Sequence, residues 1–338
     1  MTLPRYVTRE RVQRTLDQAD TFRVNAVIDA AIASATTGIE GWTHRYFYPV
    51  TATRYPDPWR QVSGGVLWLD SSTYEVCSVA SLTVDGTALT EGTDFYLDPE
   101  DGPPFTSARL FRTSDAAWST DERSIVLTGE IGASNATRAG GALASSTGSS
   151  SSTVIVTNGA FVGVGDLITI GAERLMVTDR MNTATGATIT VALDDLDSDN
   201  VLTVSDGTLI NQGETILING ERMFVEQVVG NAVTVQRAVT GSVLAVHTSS
   251  TAVYASRVLV VERGATGTTA ATHTASTAVT VNDPPPLVQT ATLAQALATL
   301  GVEWSAYAAS NSGMQAKSLQ QIIDDCVAAH GRVRIGVA

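Results

Sequence analysis

The chain has 338 residues, of which 43% are hydrophobic and 16% charged, and its net charge is −13 with 21 basic residues. That length and apolar content suit two or three globular domains with cores of their own and exclude a disordered chain. The charge excludes a wrapped nucleic-acid partner, which needs clustered Lys and Arg, but not a surface along which DNA slides without sticking.

"MTLPRYVTRERVQRT" opens the chain without the apolar core of a signal peptide. No stretch reaches the roughly 18 apolar residues of a membrane-spanning helix, so a soluble protein made in a cytoplasm is expected. Val12, Leu16 and Ala19 mark a short helix. Val24, Ile28, Ala31, Ile32, Ala35, Ile39, Trp42 and Tyr46 then recur at three- and four-residue steps, which predicts one face of a long helix. Asp20 or Thr21 is placed to cap its start and Pro49 to end it. Gly38 and Gly41 weaken that helix and point to close packing or a bend.

From Val50 to Ile131 the pattern turns to alternation, with "GGVLWLDS" and "SVASLTVDGTALTEGTDFYLDP" as strands and Asp85-Gly86 as a tight-turn signal. Residues 134–152, rich in Gly, Ser and Ala, read as a linker. Residues 153–281 hold an internal repeat. "VGVGDLITIGAERLMV" (162–177) returns as "INQGETILINGERMFV" (210–225), and "VTVQRAVTGSVLAVHTSSTAV" (233–253) returns as "LVVERGATGTTAATHTASTAV" (259–279). The order is first half, first half, second half, second half. It predicts one β module, 201–254, inserted inside its twin, 153–181 plus 257–281; two separately duplicated hairpins are the alternative. After "VNDPPPLVQ", a proline hinge, helices return over 282–330. Leu287, Ala291, Ala294 and Ala298 share one face; Leu319, Ile322, Ile323, Cys326 and Val327 form another. Residues 331–338 read as a free basic-apolar arm.

Chemistry is scarce. Cys77 and Cys326 form no motif and read as buried thiols. His247 and His273 occupy one repeat position, as do Arg237 and Arg263. A shared structural task, such as a hydrogen bond closing a loop, explains them better than catalysis. Glu173-Arg174 and Glu221-Arg222 mark one hairpin position twice, because neighbours in a strand point to opposite faces. Asp195, Asp197, Asp199 and Asp206 have the spacing of a calcium loop. Asn200 replaces the glycine such a loop needs and the flanks read as strands, so a solvated acidic turn is the preferred reading. No catalytic or cofactor motif is present, and no enzyme or cofactor is expected.

"VIDAAIASATTGIEGWTHRYFYP", followed by "TRYPDP", "VLWLD" and "VASLTVDGTALTEGTDFYL", resembles the head-to-tail connector, or adaptor, proteins of long-tailed bacteriophages. The matching positions are Ala35, Ile39-Glu40, Trp42-Thr43, Arg45 and Phe47, then Leu67 to Asp70 and Val84 to Gly86. His44 stands where that family often has glycine. The resemblance covers about residues 5–131 and, more weakly, 287–330; the nested modules resemble insertions in adaptors of phages infecting actinobacteria.

The resemblance implies an α+β fold: a small helical bundle with a short β region over 1–133 and 282–330, plus an inserted all-β domain made of two nested repeat modules. Trp42, Arg45, Tyr46 and Phe47 would then pack the core or the subunit contact, with core preferred for the aromatics. The implied function is a structural virion protein at the neck, in a ring of twelve copies between the portal and a tail terminator or stopper. Double-stranded DNA would pass through without sequence-specific binding. The arm around Arg332, Arg334 and Ile335 would dock on the portal. The alternative is a virion surface or tail protein whose β modules bind a host glycan or receptor. No membrane partner is expected.

Overall fold

In a computed structural model of the protein, residues 3–18, 23–69, 75–301 and 318–331 are described. Among the described residues two four-stranded sheets and one of ten strands dominate, with five α-helices beside them; the structure is only 21% helical. The expected small helical bundle with a short β region is therefore overturned: the protein is mostly β.

One reason lies in residues 50–131. β1 (Val50–Arg54), β4 (Val76–Val84), β5 (Thr87–Leu89) and β8 (Ile125–Ile131) form a sheet in the order β1-β8-β4-β5. β2 (Val62–Ser63), β3 (Val66–Trp68), β6 (Phe95–Asp98) and β7 (Ser107–Leu110) form the second, in the order β2-β3-β7-β6. β8 buries every second residue, and the two sheets share a core of Leu67, Leu82, Phe95, Ile125 and Leu127. Half-buried alternation of this kind builds a body that stands by itself. Asp85 and Gly86, both at positive φ, join β4 to β5, as a two-residue hairpin turn requires.

The ten-stranded sheet contains β9 (Thr137–Ala142), β10 (Thr153–Ile155), β11 (Leu167–Ile170), β12 (Glu173–Thr188) and β13 (Val201–Thr203), then β14 (Thr215–Ile218), β15 (Glu221–Val229), β16 (Ala232–Gln236), β17 (Ala252–Glu262) and β18 (Ala278–Asn282). Its strands form two modules with matching registers. Val154 pairs with Leu259 as Leu202 pairs with Val233; Ile168 faces Leu175 and Val281 as Ile216 faces Met223 and Ala255. Each module has its own core. Leu143, Val154, Ile168, Val177 and Leu259 fill the outer one, and Ile189, Leu202, Ile216, Val225 and Val253 the inner one.

β12 and β17 run through both modules as one antiparallel ribbon. In the inner module the hairpin β15–β16 closes through Gly230-Asn231. In the outer module the same place, between β12 and β17, holds the whole inner module.

Residues 134–152 are not a linker. β9 pairs with β18 and takes the place that the end of β12 takes in the inner module: Arg138 faces Val281 as Thr183 faces Ala255. Leu143 is buried and Thr147 bridges His273. Apart from Leu143 the stretch contributes mainly backbone bonds, so its composition conceals it.

Helices α1 (Arg9–Gln18), α2 (Asn25–Thr43), α4 (Pro286–Thr299) and α5 (Leu319–His330) pack beside the outer module; α3 (Pro58–Gln61) is one short turn. Leu16, Ile28, Ile32, Leu293 and Leu297 form one core. A second joins Phe47, Tyr48, Val288 and Cys326 to Leu167, Met176 and Ala265 of the outer module. The helices thus close on one another through the first core and lean on the sheet through the second. α2 starts at Asn25 with Val24 as an unaided N-cap; Asp20 and Thr21 lie outside the described residues. It ends at Thr43, before Pro49, where His44 turns left-handed (φ 56°) and its amide donates to the Glu40 carbonyl at 2.8 Å. That is a helix-ending position at which glycine carries no steric cost.

Candidate functional site

The chain concentrates its buried charge in two copies of one arrangement. In the inner module Glu221 points inward and is fully buried, and Arg237 forks onto it (Nε to Oε1 2.9 Å, Nη2 to Oε2 2.7 Å). The amides of Ala238 and Ala245 each donate at 3.1 Å, and His247 Nε2 lies 2.8 Å from Oε2. In the outer module Glu173 receives Arg263 twice at 2.7 Å, the amides of Gly264 (3.1 Å) and Ala271 (2.9 Å), and His273 Nε2 (2.8 Å). Each carboxylate thus ties the strand after a hairpin to a loop and to the following strand. Burial alone would raise the Glu173 pKa, but Arg263, the Ala271 amide, His273 and the Gly264 amide outweigh it and hold the group down to about 2. Glu221 is lowered by the same balance, with Arg237 its main counterweight.

This arrangement gathers Arg237, His247, Arg263 and His273. The repeated Glu that receives them was visible in the sequence only as the matched Glu-Arg pairs; what reveals its role is a Glu, an Arg and a His each recurring at one repeat position. A fixed, fully occupied carboxylate has no free lone pair directed at a substrate, so the arrangement acts as a clamp.

The remaining guanidinium contacts explain two loops. Arg263 Nη1 donates to the carbonyls of Gly148 (2.6 Å) and Ser151 (3.1 Å). Arg237 Nη1 donates to those of Asp194 (2.5 Å) and Asp199 (3.3 Å). The "DDLDSDN" turn therefore encloses a cation of the protein itself. Asp199 accepts from the Asp194 amide (2.8 Å), and Asp206 caps a single turn of 3₁₀ helix by accepting from Thr208. The structure does not assemble Asp195, Asp197, Asp199 and Asp206 into a cation site; among the described residues no group of three His, Cys, Asp or Glu is placed to hold a metal.

The aromatic joint after α2 departs from the expected packing. Phe47 and Tyr48 are buried, whereas Trp42 and Tyr46 are 42% and 48% exposed. The left-handed turn at His44 breaks the helical period, so Tyr46 no longer falls on the inner face, and the Trp42 ring lies along Gly38 of its own helix. Phe47 meets Tyr6 and His330 edge-on at 5.6 and 5.7 Å. The Tyr6 hydroxyl accepts from the Phe47 amide (3.0 Å) and donates to Glu40 (2.8 Å), whose carboxyl is nonetheless pushed up to about 7 by burial. Asn282 of β18 donates to the Phe47 carbonyl (3.0 Å), and Arg45 pairs with buried Glu75 at 3.0 Å. The joint thus locks helices, small sheet and outer module together.

A second seam was not foreseen. Arg174 is buried between the outer module and the small sheet, bonded to Thr51 Oγ1 (3.0 Å), Thr266 Oγ1 (3.3 Å) and the Glu130 carboxylate. Its contacts cross 123 positions in sequence for Thr51 and 44 for Glu130, beyond the reach of local pattern. α1 meets the modules through arginines as well: Arg9 bridges Asp29 (2.9 Å) and Asp179 (2.8 Å). A cleft of about 380 Å³ opens there, lined by Arg9, Asp179, Arg180, Arg222 and Thr240 among others.

Cys77 and Cys326 are free and buried, with thiols raised to about 12 and about 11 chiefly by burial. Arg332, Arg334 and Ile335 lie outside the described residues. No helix among the described residues is long and apolar enough to cross a membrane. Compared with models of protein families, with curated proteins and with solved structures, the chain matches none.

Proposed function

We propose that this chain is a structural virion protein, a head-to-tail adaptor that forms a ring between portal and tail. The observation that supports it is the joint between α2 and β1. The ordered sequence series that resembles phage adaptors runs through it, and there the helices meet the small sheet and the outer module through Tyr6, Phe47, Tyr48 and Asn282. A rigid foot of this kind suits a subunit that must hold its neighbours in register, since a closed ring multiplies modest contacts.

In this reading the partners are other copies, about twelve in a ring, together with the portal and a tail stopper. DNA passes through the channel, and an excess of carboxylates limits its sticking. The two β modules project from the outside of the ring. The reading involves no covalent chemistry.

Immunogold electron microscopy of intact particles of the encoding phage, with an antibody raised against residues 153–281, tests the proposal. Label at the neck is expected. Label at the tail tip would reassign the modules to host recognition, and absence of the chain from purified particles would remove the virion reading.

A further inference from the structure

The two modules carry the same docking face, but among the described residues only the outer module's arginine has a partner there. In the outer module Arg174 leaves β12 and reaches the small sheet, where the Glu130 carboxylate and the Thr51 hydroxyl receive it. Thr266 Oγ1 supports the guanidinium at 3.3 Å, and Gly267 lets the chain lie against the Thr51 carbonyl, which a Cβ there would approach to 2.2 Å.

The inner module repeats the parts. Arg222 faces Leu217 in the ladder as Arg174 faces Thr169. The Arg222 amide donates to Ser242 Oγ at 2.9 Å, as the Arg174 amide donates to Thr268 Oγ1 at 2.9 Å. Thr240 and Gly241 stand for Thr266 and Gly267, and Thr240 and Thr266 share the left-handed φ (54° and 49°). Yet the Arg222 side chain is exposed and makes no hydrogen bond or ion pair with a described residue. The Thr240 hydroxyl is buried with no partner. Both line the cleft of about 380 Å³ beside α1.

The carboxylates of that region are engaged elsewhere. Asp17 accepts from the Thr240 amide at 3.1 Å, Asp179 pairs with Arg9 at 2.8 Å, and Glu10 faces Arg180 at 3.5 Å. A buried hydroxyl without a partner is destabilising relative to a satisfied one. Retaining both it and an arginine with no partner among the described residues is explained by a ligand that binds them together.

The filled face identifies that ligand. We infer that Arg222 and Thr240 form a docking site for an acidic side chain on an extended segment of a second copy of this chain, as Glu130 and β1 dock on Arg174 and Thr266 within one copy. The choice of a second copy rests on the ring reading above and on the occupant of the twin face, which is a strand pair of this same chain. An excess of carboxylates over basic groups, 34 against 21, supplies the acid.

The test joins the site to whatever acid it touches. Arg222→Lys keeps the charge and gives an amine that a water-soluble carbodiimide couples to a contacting carboxylate. Full-length ¹⁴N and ¹⁵N copies of R222K are mixed, coupled and digested, and the cross-linked peptides are read by mass spectrometry. Position 222 linked to an Asp or Glu peptide of the other isotope is the expected result. Links only within one isotope, to Asp17, Asp179 or Glu10 for example, or no link at all, would overturn the inference.

Native mass spectrometry of the same samples separates this from the ring reading. Oligomers without a mixed-isotope link sink the docking site alone. Mixed-isotope links in a species that closes no ring keep the docking site and sink the ring.

Discussion

The outer and inner modules share a backbone, a register and a buried clamp, yet they stand in different surroundings. The outer one is held on two sides: Leu167, Met176 and Ala265 sit in the helical core, and Arg174 is buried against the small sheet. The inner one meets the rest of the chain through the shared ribbon, through Glu214, which accepts from the Gly159 amide at 2.7 Å, and through α1, with Thr240 on Asp17 and the Arg14 guanidinium 4.0 Å from the centre of the Phe224 ring. Where the two copies agree, the fold demands it. Glu, Arg and His are kept because one carboxylate organises a whole loop. Where they differ, the neighbourhood has acted: Arg174 and Arg222 occupy one position, one buried and the other exposed.

The largest way to break the comparison is to remove the clamp. Glu221→Ala leaves Arg237 buried and uncompensated, and Glu173→Ala does the same to Arg263; each is expected to cost about 3–5 kcal/mol. The two losses should look different by hydrogen exchange. E221A is expected to release amide protection in 187–255 while 153–181 and 257–281 stay protected; E173A is expected to release both modules, because the inner one is carried within the outer. Equal spread of the two effects would show that the modules do not unfold separately.

Acid offers a reversible version. Both glutamates lie below their ordinary value, so the stability they contribute is present above the unfolded carboxyl pKa, about 4.3, and is lost as pH falls towards the folded value. For Glu173 that window runs down to about 2. Chemical denaturation midpoints should hold their clamp contribution above the window and fall within it, and E173A should flatten that part of the profile.

A sharper contrast comes from the docking arginines. Arg174→Ala is expected to cost about 1.5–3 kcal/mol through charged hydrogen bonds lost in a buried seam. Arg222→Ala in the isolated chain should stay within about 0.5 kcal/mol. Thermal melts of the two variants side by side decide this. An effect between those two concerns the histidines. His247→Gln and His273→Gln each remove one bond to a clamp that keeps four, and about 1 kcal/mol each is expected in the same melts.

Much of the modular body was legible in the sequence because its clamp is made of side chains that composition rarely repeats by accident: Glu173 with Glu221, Arg237 with Arg263, His247 with His273. The strand at 137–142 was not legible, since Thr, Gly and Ala there supply backbone bonds at a sheet edge. The fold class was misjudged for a related reason. The strands of 50–131 alternate weakly, and nothing local indicates that they close into a two-sheet body with its own core. Tyr46 was expected inside from a helical period that the left-handed His44 interrupts, whereas Trp42 lies within α2, where Thr43 and not Trp42 continues the buried face. Arg174 and Glu130 could be joined only by tertiary structure.

The ribbon of β12 and β17 also decides how the tip of the molecule bears a load. A tether gives before its cargo moves, but here the inner module is reached by two hydrogen-bonded strands lying side by side. Tension applied beyond Gly230-Asn231 would be divided between both strands. It would meet β10 and β11 in shear, where the bonds of a ladder must fail together instead of peeling one by one. The outlying module is therefore a stiff strut, able to hand force to the helical foot with little slack.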